Sequence, residues 1–145
     1  MNKIYVINGP NMNMLGKRSP EIYGTMTLDD INIEMSKIAA QHNLHCIFLQ
    51  SNSEGDIVSF IQEAYTNACA IIINPAALSH YSYAIRDALE MLSIPKIEVH
   101  MTDILNREGF RQQIVTGEVC DHIICGKKEN SYYEALHYII ERIKQ

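Results

Sequence analysis

A loop that follows the first apolar segment of the chain carries two residues whose types and spacing could do acid–base chemistry. The loop runs from Asn8 to Gly24, and it places Arg18 and Tyr23 five positions apart. A fixed cation stabilises a nearby phenolate, so a tyrosine beside an arginine ionises more readily. A tyrosinate is a strong base. The pair therefore predicts base chemistry by a tyrosine, in a loop that is expected to be mobile.

A histidine further along the chain could supply the acid. His100 ends an apolar segment, and Glu98, two residues earlier, lies on the same face of a strand. A carboxylate that holds one imidazole nitrogen leaves the other free for proton transfer. The alternative is a buried histidine whose ring is satisfied by the backbone.

Other polar residues that could hold a hydroxylated ligand follow the predicted strands: Asn11, Asn74, His80 and Thr102. Each also has a simpler interpretation. Asn74-Pro75 is a common turn signal, and His80 could cap the start of a helix. Arg86-Asp87, on the next predicted helix, could be a surface ion pair that adds little stability. A binding site is nevertheless favoured, because the residues that follow the strands are expected to lie together at one edge of the sheet.

Short segments rich in Ile and Val alternate with helical patterns along the chain. The predicted strands, apolar nearly throughout as in a parallel sheet buried on both faces, are Lys3–Asn8, His45–Gln50, Ala70–Asn74, Lys96–His100 and His122–Cys125. Helices are predicted from Thr27, which begins a capping box over 27–30, from Ser53 or Glu54, and over 82–92, 107–115 and 130–144. In the last helix, Tyr133 and Leu136 are expected on the apolar side.

This alternation predicts a doubly wound α/β fold with a parallel sheet. With about five strands, the expected order is 2-1-3-4-5, the flavodoxin-like arrangement. Ligands of such sheets bind beyond the carboxyl ends of the strands, near the switch between strands 1 and 3. No repeat or linker interrupts the pattern, so residues 1–145 are expected to form one catalytic domain.

Composition excludes several classes of partner. The chain has 145 residues, a net charge of −5 and no basic cluster larger than Lys127-Lys128, so we expect no nucleic-acid partner. No apolar run approaches the about 20 residues that span a bilayer, so no membrane partner is expected. The segment that begins Met1-Asn2-Lys3 leads directly into a strand and not into a secretory signal.

The cysteines are irregularly spaced within apolar segments, which favours reduced thiols in a cytoplasmic protein. They are Cys46, Cys69, Cys120 and Cys125.

Several common motifs are absent from the sequence. No GxGxxG follows the first strand, no GxxxxGK[ST] occurs, and no HExxH or similar spacing predicts a metal. Asparagines stand where a phosphoreceiver domain would carry acidic residues. Tyr23 and the histidines stay the best acid–base candidates. The alternative from another class is a non-catalytic flavodoxin-like binding or signalling module.

The sequence resembles the type II 3-dehydroquinate dehydratases, also called type II dehydroquinases, of the shikimate pathway. Three blocks that span nearly the whole chain carry the resemblance: Asn8-Gly9-Pro10-Asn11 through Tyr23-Gly24, Asn74-Pro75-Ala76-Ala77 through Arg86-Asp87-Ala88-Leu89, and Glu98-Val99-His100 through Phe110-Arg111. The resemblance implies reversible loss of water from 3-dehydroquinate to give 3-dehydroshikimate, without a metal or an organic cofactor.

The resemblance also implies a role for each site residue. Tyr23 would take the proton from C2, and Arg18 would favour the ionised tyrosine and close the site. Asn11 would position a water that stabilises the enolate. His100, supported by Glu98, would be the general acid for the C1 hydroxyl.

The same resemblance implies how the substrate is held. Its hydroxyls and carboxylate would be bound by the side chains of Asn74, His80 and Arg111 and by the backbone amides of Met101 and Thr102. Asp87 would reach the site of a neighbouring subunit, in a homo-oligomer of trimers packed into a dodecamer.

Two segments depart from the family pattern. Met101-Thr102-Asp103 stands where the family usually shows Ile-Ser-Asn, and Thr102 keeps a hydroxyl there. The segment from Gly126 to Tyr132 keeps only the first glycine and the tyrosine of the usual Gly-x-Gly-x-x-Gly-Tyr. The second change is expected to affect packing into the last helix more than chemistry.

Overall fold

The five predicted strands form one parallel sheet. The computed structural model describes residues 2–17, 19–23 and 25–144, with Tyr23 described by its backbone alone. The strands run β1 Lys3–Asn8, β2 His45–Gln50, β3 Ala70–Asn74, β4 Lys96–His100 and β5 His122–Cys125. The α-helices run α1 Pro20–Tyr23, α2 Leu28–Ala40, α3 Glu54–Asn67, α4 Tyr83–Glu90 and α5 Asn130–Lys144.

The strand order is β2-β1-β3-β4-β5, as predicted. The register aligns the carboxyl ends of the three central strands, because Asn8 pairs with Asn74 and Ile73 pairs with Glu98. The chain moves from β1 to β2 on one side and then crosses to β3 on the other. The switch point therefore lies where Asn8 and Asn74 end their strands.

Helices cover both faces of the sheet. Alternation along β1 sends Ile4 and Val6 into the layer beneath α2 and α5, and Tyr5 and Ile7 into the layer beneath α3 and α4. Each fully buried aliphatic side chain contributes about 1.5–3 kcal/mol of hydrophobic stabilisation. The edge strands β2 and β5 are only partly buried, unlike the expectation for all strands.

The helices α2, α3 and α4 begin close to the predicted positions, and each has a side-chain cap. Thr27 Oγ1 accepts from the Asp30 amide at 3.1 Å, while Asp30 Oδ2 accepts from the Thr27 amide at 3.0 Å, which is the predicted capping box. Ser53 and Ser82 cap α3 and α4 in the same way with their hydroxyls. Within α5, Tyr132 is the fully buried tyrosine and Tyr133 is only partly buried.

The helix predicted over 107–115 is wrong. Within this segment Gly109–Gln112 forms a 3₁₀ turn, which follows the separate turn Ile104–Asn106, and the chain then extends at Gln113. A short segment with a glycine inside it is a poor helix nucleus. The carbonyls of Gln113 and Val115 accept instead from the side chains of His80 and Arg86, which lie on other elements.

Candidate active site

A cleft opens at the carboxyl ends of β1, β3 and β4. It encloses a cavity of about 180 Å³. The predicted site residues that line it are Asn11, Asn74, His80, His100, Met101, Thr102 and Arg111. Glu98 lies behind His100, and Asp87 is exposed on α4, outside this cleft. Arg18 and the side chain of Tyr23 lie outside the part of the chain that the structure describes.

The floor of the cleft forms where the ends of β1 and β3 approach each other. The Gly9 amide donates to Asn74 O at 2.8 Å. A Cβ on Gly9 would lie 2.6 Å from Pro75 O, so only glycine permits this approach. Ala76 follows with a φ of 56°, a left-handed conformation that is strained for alanine. The loop ends are therefore fixed by the backbone itself.

His80 has a defined protonation state. It is the last residue of the 3₁₀ helix Ala76–His80. His80 therefore does not cap the start of a helix, which was its simpler interpretation. Its Nδ1 donates to Gln113 O at 2.6 Å, and burial lowers the pKa of the ring. A backbone carbonyl only accepts, so Nδ1 carries the proton of the neutral ring and Nε2 is left as an acceptor. The ring stacks against His100 with 6.3 Å between centroids.

The predicted pair of Glu98 and His100 is present, and a third residue joins it. His100 Nε2 lies 2.7 Å from Glu98 Oε2, and both side chains are buried. The hydroxyl of Thr116 donates to the other carboxylate oxygen, Oε1, at 2.5 Å. Sequence reasoning missed Thr116, because no local pattern marks a residue eighteen positions from its partner.

The side chain of Asn74 is oriented by a buried chain of hydrogen bonds. Its Oδ1 accepts from the Ala76 amide at 3.0 Å, and its Nδ2 donates to Tyr132 Oη at 2.9 Å. Tyr132 then donates to Asn8 Oδ1 at 2.5 Å. Burial raises the pKa of Tyr132, so the phenol stays a donor. Tyr132 is a second residue that was not predicted for the site, although it is the tyrosine kept in the motif after β5.

Two guanidinium groups give the cleft a positive wall. Arg111 Nε pairs with Glu108 Oε2 at 2.5 Å and lies over the Phe110 ring, 4.8 Å from its centroid. This hydrogen bond lowers the pKa of the exposed Glu108 carboxyl. Arg107 also lines the cleft, and its Nη1 lies 3.5 Å from Thr102 Oγ1. The wall suits an anionic ligand.

The loop after β5 supports the strand-4 end of the cleft. The Lys128 amide donates to Met101 O at 2.9 Å, and Lys128 adopts a left-handed φ of 52° at a position where the family usually has glycine. Ser131, at the next replaced glycine, is fully buried and accepts from the Lys127 amide at 3.2 Å. The departures from the motif are accommodated by strain at one residue and a new hydrogen bond at the other.

Two kinds of feature are absent from the described residues. No cluster of three or more His, Cys, Asp or Glu side chains suited to a metal ion is found within 2–17, 19–23 and 25–144. Over those same residues, no helix has the length and apolar character needed to cross a bilayer.

Comparison with known proteins identifies the family of this chain. A sequence model of the family described as dehydroquinase class II matches residues 2–140. The chain belongs to this family. A relative from Bartonella henselae, named 3-dehydroquinate dehydratase, is 46% identical over 98% of this chain and 96% of its own length.

Two solved structures of the family share the fold. The type II dehydroquinase from Butyrivibrio crossotus is 44% identical, with a TM-score of 0.92 over 95% of this chain and 97% of its own. The type II dehydroquinase from Propionibacterium acnes is 38% identical, with a TM-score of 0.93 over 97% of both chains.

Proposed function

We propose that this chain catalyses the reversible dehydration of 3-dehydroquinate to 3-dehydroshikimate. The observation that carries the proposal is the cleft itself. It brings the Glu98–His100 pair, a neutral His80 and two arginines together at the switch point of the sheet. A relative in the same family is named 3-dehydroquinate dehydratase. The sugar-like acid would place its hydroxyls and its carboxylate against these groups.

Tyr23 is the proposed base, and Arg18 is the cation that favours its ionisation. A proton next to a ketone is weakly acidic, so its removal needs a strong base. By Coulomb's law, a unit charge about 5 Å away at an effective dielectric of about 20 stabilises a phenolate by about 3 kcal/mol. Oriented hydrogen bonds, including a water held by Asn11, stabilise the enolate as it forms. This chemistry requires no metal and no organic cofactor.

His100 is the proposed general acid for the departing C1 hydroxyl. Glu98 occupies Nε2, so Nδ1 is the ring nitrogen that exchanges a proton with a ligand. When the ring carries both protons, its positive charge lies 2.7 Å from the Glu98 carboxylate, which balances it.

Substrate binding divides between charge and hydroxyl recognition. Arg111 and the backbone amides of Met101 and Thr102 are proposed to bind the carboxylate. His80 offers an acceptor at Nε2, which suits a substrate hydroxyl. Asn74 has one amide hydrogen directed at the Met12 sulfur over 3.7 Å, a weak contact that a ligand oxygen would replace.

The proposal also includes the assembly and setting of the enzyme. Residues 1–145 form one catalytic domain, and the chain is cytoplasmic and assembles into trimers that pack into a dodecamer. Asp87, which is exposed on α4, would then approach the cleft of a neighbouring subunit.

An ultraviolet assay tests the function directly. The product is an enone carboxylate and absorbs where the substrate does not, so purified protein with 3-dehydroquinate should give rising absorbance. Borohydride added with substrate should not inactivate the enzyme, because no imine forms. Absence of the absorbance rise, together with binding of a nucleotide or a polyol phosphate, would favour the non-catalytic module instead.

A further inference from the structure

A buried threonine behind the cleft completes a row of three side chains that ends at His100. Thr116 has 0% of its surface exposed, and so has Glu98, whose Oε1 accepts the Thr116 hydroxyl at 2.5 Å. The other oxygen, Oε2, lies 2.7 Å from His100 Nε2. Thr116 does not line the cleft. Its hydroxyl could therefore affect a ligand only through Glu98 and His100.

The backbone that carries Thr116 is fixed by side chains of other elements. His80 and Arg86 donate to the carbonyls of Gln113 and Val115, just before Thr116. Thr116 then begins the 3₁₀ turn Gly117–Val119, in which the Val119 amide donates to Thr116 O. The hydroxyl is thus presented to Glu98 by several independent contacts.

The hydrogen-bond requirements of Glu98 determine which atoms donate and which accept between Thr116, Glu98 and His100. A carboxylate accepts at both oxygens, and its burial is costly unless donors replace the lost water. Thr116 supplies the donor at Oε1, and His100 supplies one at Oε2 when its proton is on Nε2. Donors at both oxygens hold the carboxylate in one orientation, with Oε2 facing His100.

We propose that Thr116 is a positioning residue for His100. Its hydroxyl holds the Glu98 carboxylate in one orientation, and Glu98 in turn keeps the ring proton of His100 on Nε2. The Nδ1 atom is then available for proton transfer in the cleft. The kinetic consequence rests on the proposed dehydration, whereas the tautomer is a property of the protein without substrate.

A matched pair of variants tests the kinetic consequence. Thr116→Val keeps the shape of the side chain and removes the hydroxyl, and Thr116→Ser keeps the hydroxyl. We expect Thr116→Val to lower kcat by at least about tenfold, as for the loss of one hydrogen bond to a charged group. KM should change by less than about twofold, because Thr116 does not contact a ligand. Thr116→Ser should recover most of kcat.

Two kinetic results would overturn the proposal. Equal losses in Thr116→Val and Thr116→Ser would mean that any change of packing at this position lowers kcat, so that the hydroxyl has no specific role. An unchanged kcat in folded Thr116→Val would mean that Glu98 does not need the donor.

The tautomer is tested by ¹⁵N NMR of the histidine rings, with His100 assigned by its loss in His100→Asn. The wild-type ring should carry its proton on Nε2, and the fraction with the proton on Nδ1 should rise in Thr116→Val. A wild-type ring protonated on Nδ1, or an unchanged tautomer in Thr116→Val, would contradict the proposal. This readout needs no turnover, so it separates a failure of the proposal from a failure of the proposed function. The wild-type arm also holds if Thr116→Val does not fold.

Discussion

At the scale of single residues, hydrogen bonds to groups with only one role fix which atoms of the cleft donate and which accept. The Gln113 carbonyl can only accept, so the proton of neutral His80 lies on Nδ1. The Ala76 amide can only donate, so Asn74 presents Oδ1 to it and directs Nδ2 to Tyr132. These constraints prepare the cleft before a ligand arrives.

His80 should make stability depend on pH. Burial lowers its pKa from the ordinary 6.5, so the unfolded chain takes up a proton as pH falls through about 6.5 while the folded chain does not. The contribution of His80 is therefore intact above this pH and lost below it. Urea unfolding at pH 7.5 and 5.5 should show a larger loss of unfolding free energy for wild type than for His80→Asn. Equal losses would show that His80 does not carry the effect.

Two adjacent tyrosines of α5 provide a matched test of the buried hydrogen-bond chain. Tyr132→Phe leaves Asn8 Oδ1 and Asn74 Nδ2 without their partner, so it should cost about 1–3 kcal/mol of unfolding free energy. The Tyr133 hydroxyl is buried without a partner among the described residues, so Tyr133→Phe should be neutral or stabilising. Urea unfolding of both variants is the measurement. A similar cost in both variants would mean that the loss of unfolding free energy comes from the packing of the rings and not from the hydrogen bonds of Tyr132.

At the scale of elements, the loop after β5 supports the cleft through a residue in a conformation that favours glycine. Lys128 donates its amide to Met101 O while its φ is 52°. The backbone bond fixes the loop, and the lysine side chain is not needed for it. A substitution at Lys128 can therefore relieve the backbone strain and keep the hydrogen bond to Met101.

Lys128→Gly should stabilise the protein by about 1 kcal/mol, because glycine adopts a left-handed φ without the steric cost of a Cβ. Lys127→Gly is the control, since Lys127 is not among the residues with positive φ. The control should be neutral or destabilising. The measurement is the melting temperature of both variants. A Lys128→Gly variant no more stable than wild type would show that the backbone at Lys128 is not strained.

Local signals predicted most elements, and long-range partners explain the failure. The strands were found from Ile and Val segments, and the helix starts from Thr27, Ser53 and Ser82, because each signal lies within a few residues of its effect. The segment 107–115 failed because its carbonyls bond to His80 and Arg86 of distant elements. The pair of Glu98 and His100 was predictable from strand alternation. Thr116 and Tyr132 were not, because they reach the site from other parts of the chain.

At the scale of the whole molecule, the fold places the polar residues at the ends of β1, β3 and β4 on one edge of the sheet. The switch between β1 and β3 brings Asn8 and Asn74 side by side, and β4 delivers Glu98 and His100 next to them. The family model matches residues 2–140, so membership of the family rests on nearly the whole chain. The proposed base, Tyr23, belongs to the segment between β1 and α2, and the proposed acid, His100, ends β4.

The central claim is that this cleft dehydrates 3-dehydroquinate with Tyr23 as the base. The most direct measurement is the initial rise of enone-carboxylate absorbance for wild type and Tyr23→Phe, at equal concentrations of protein with matching circular dichroism. We expect clear turnover by wild type and a loss of about 10²–10⁴-fold in Tyr23→Phe, the usual contribution of a general base. Turnover by Tyr23→Phe near the wild-type rate would contradict it.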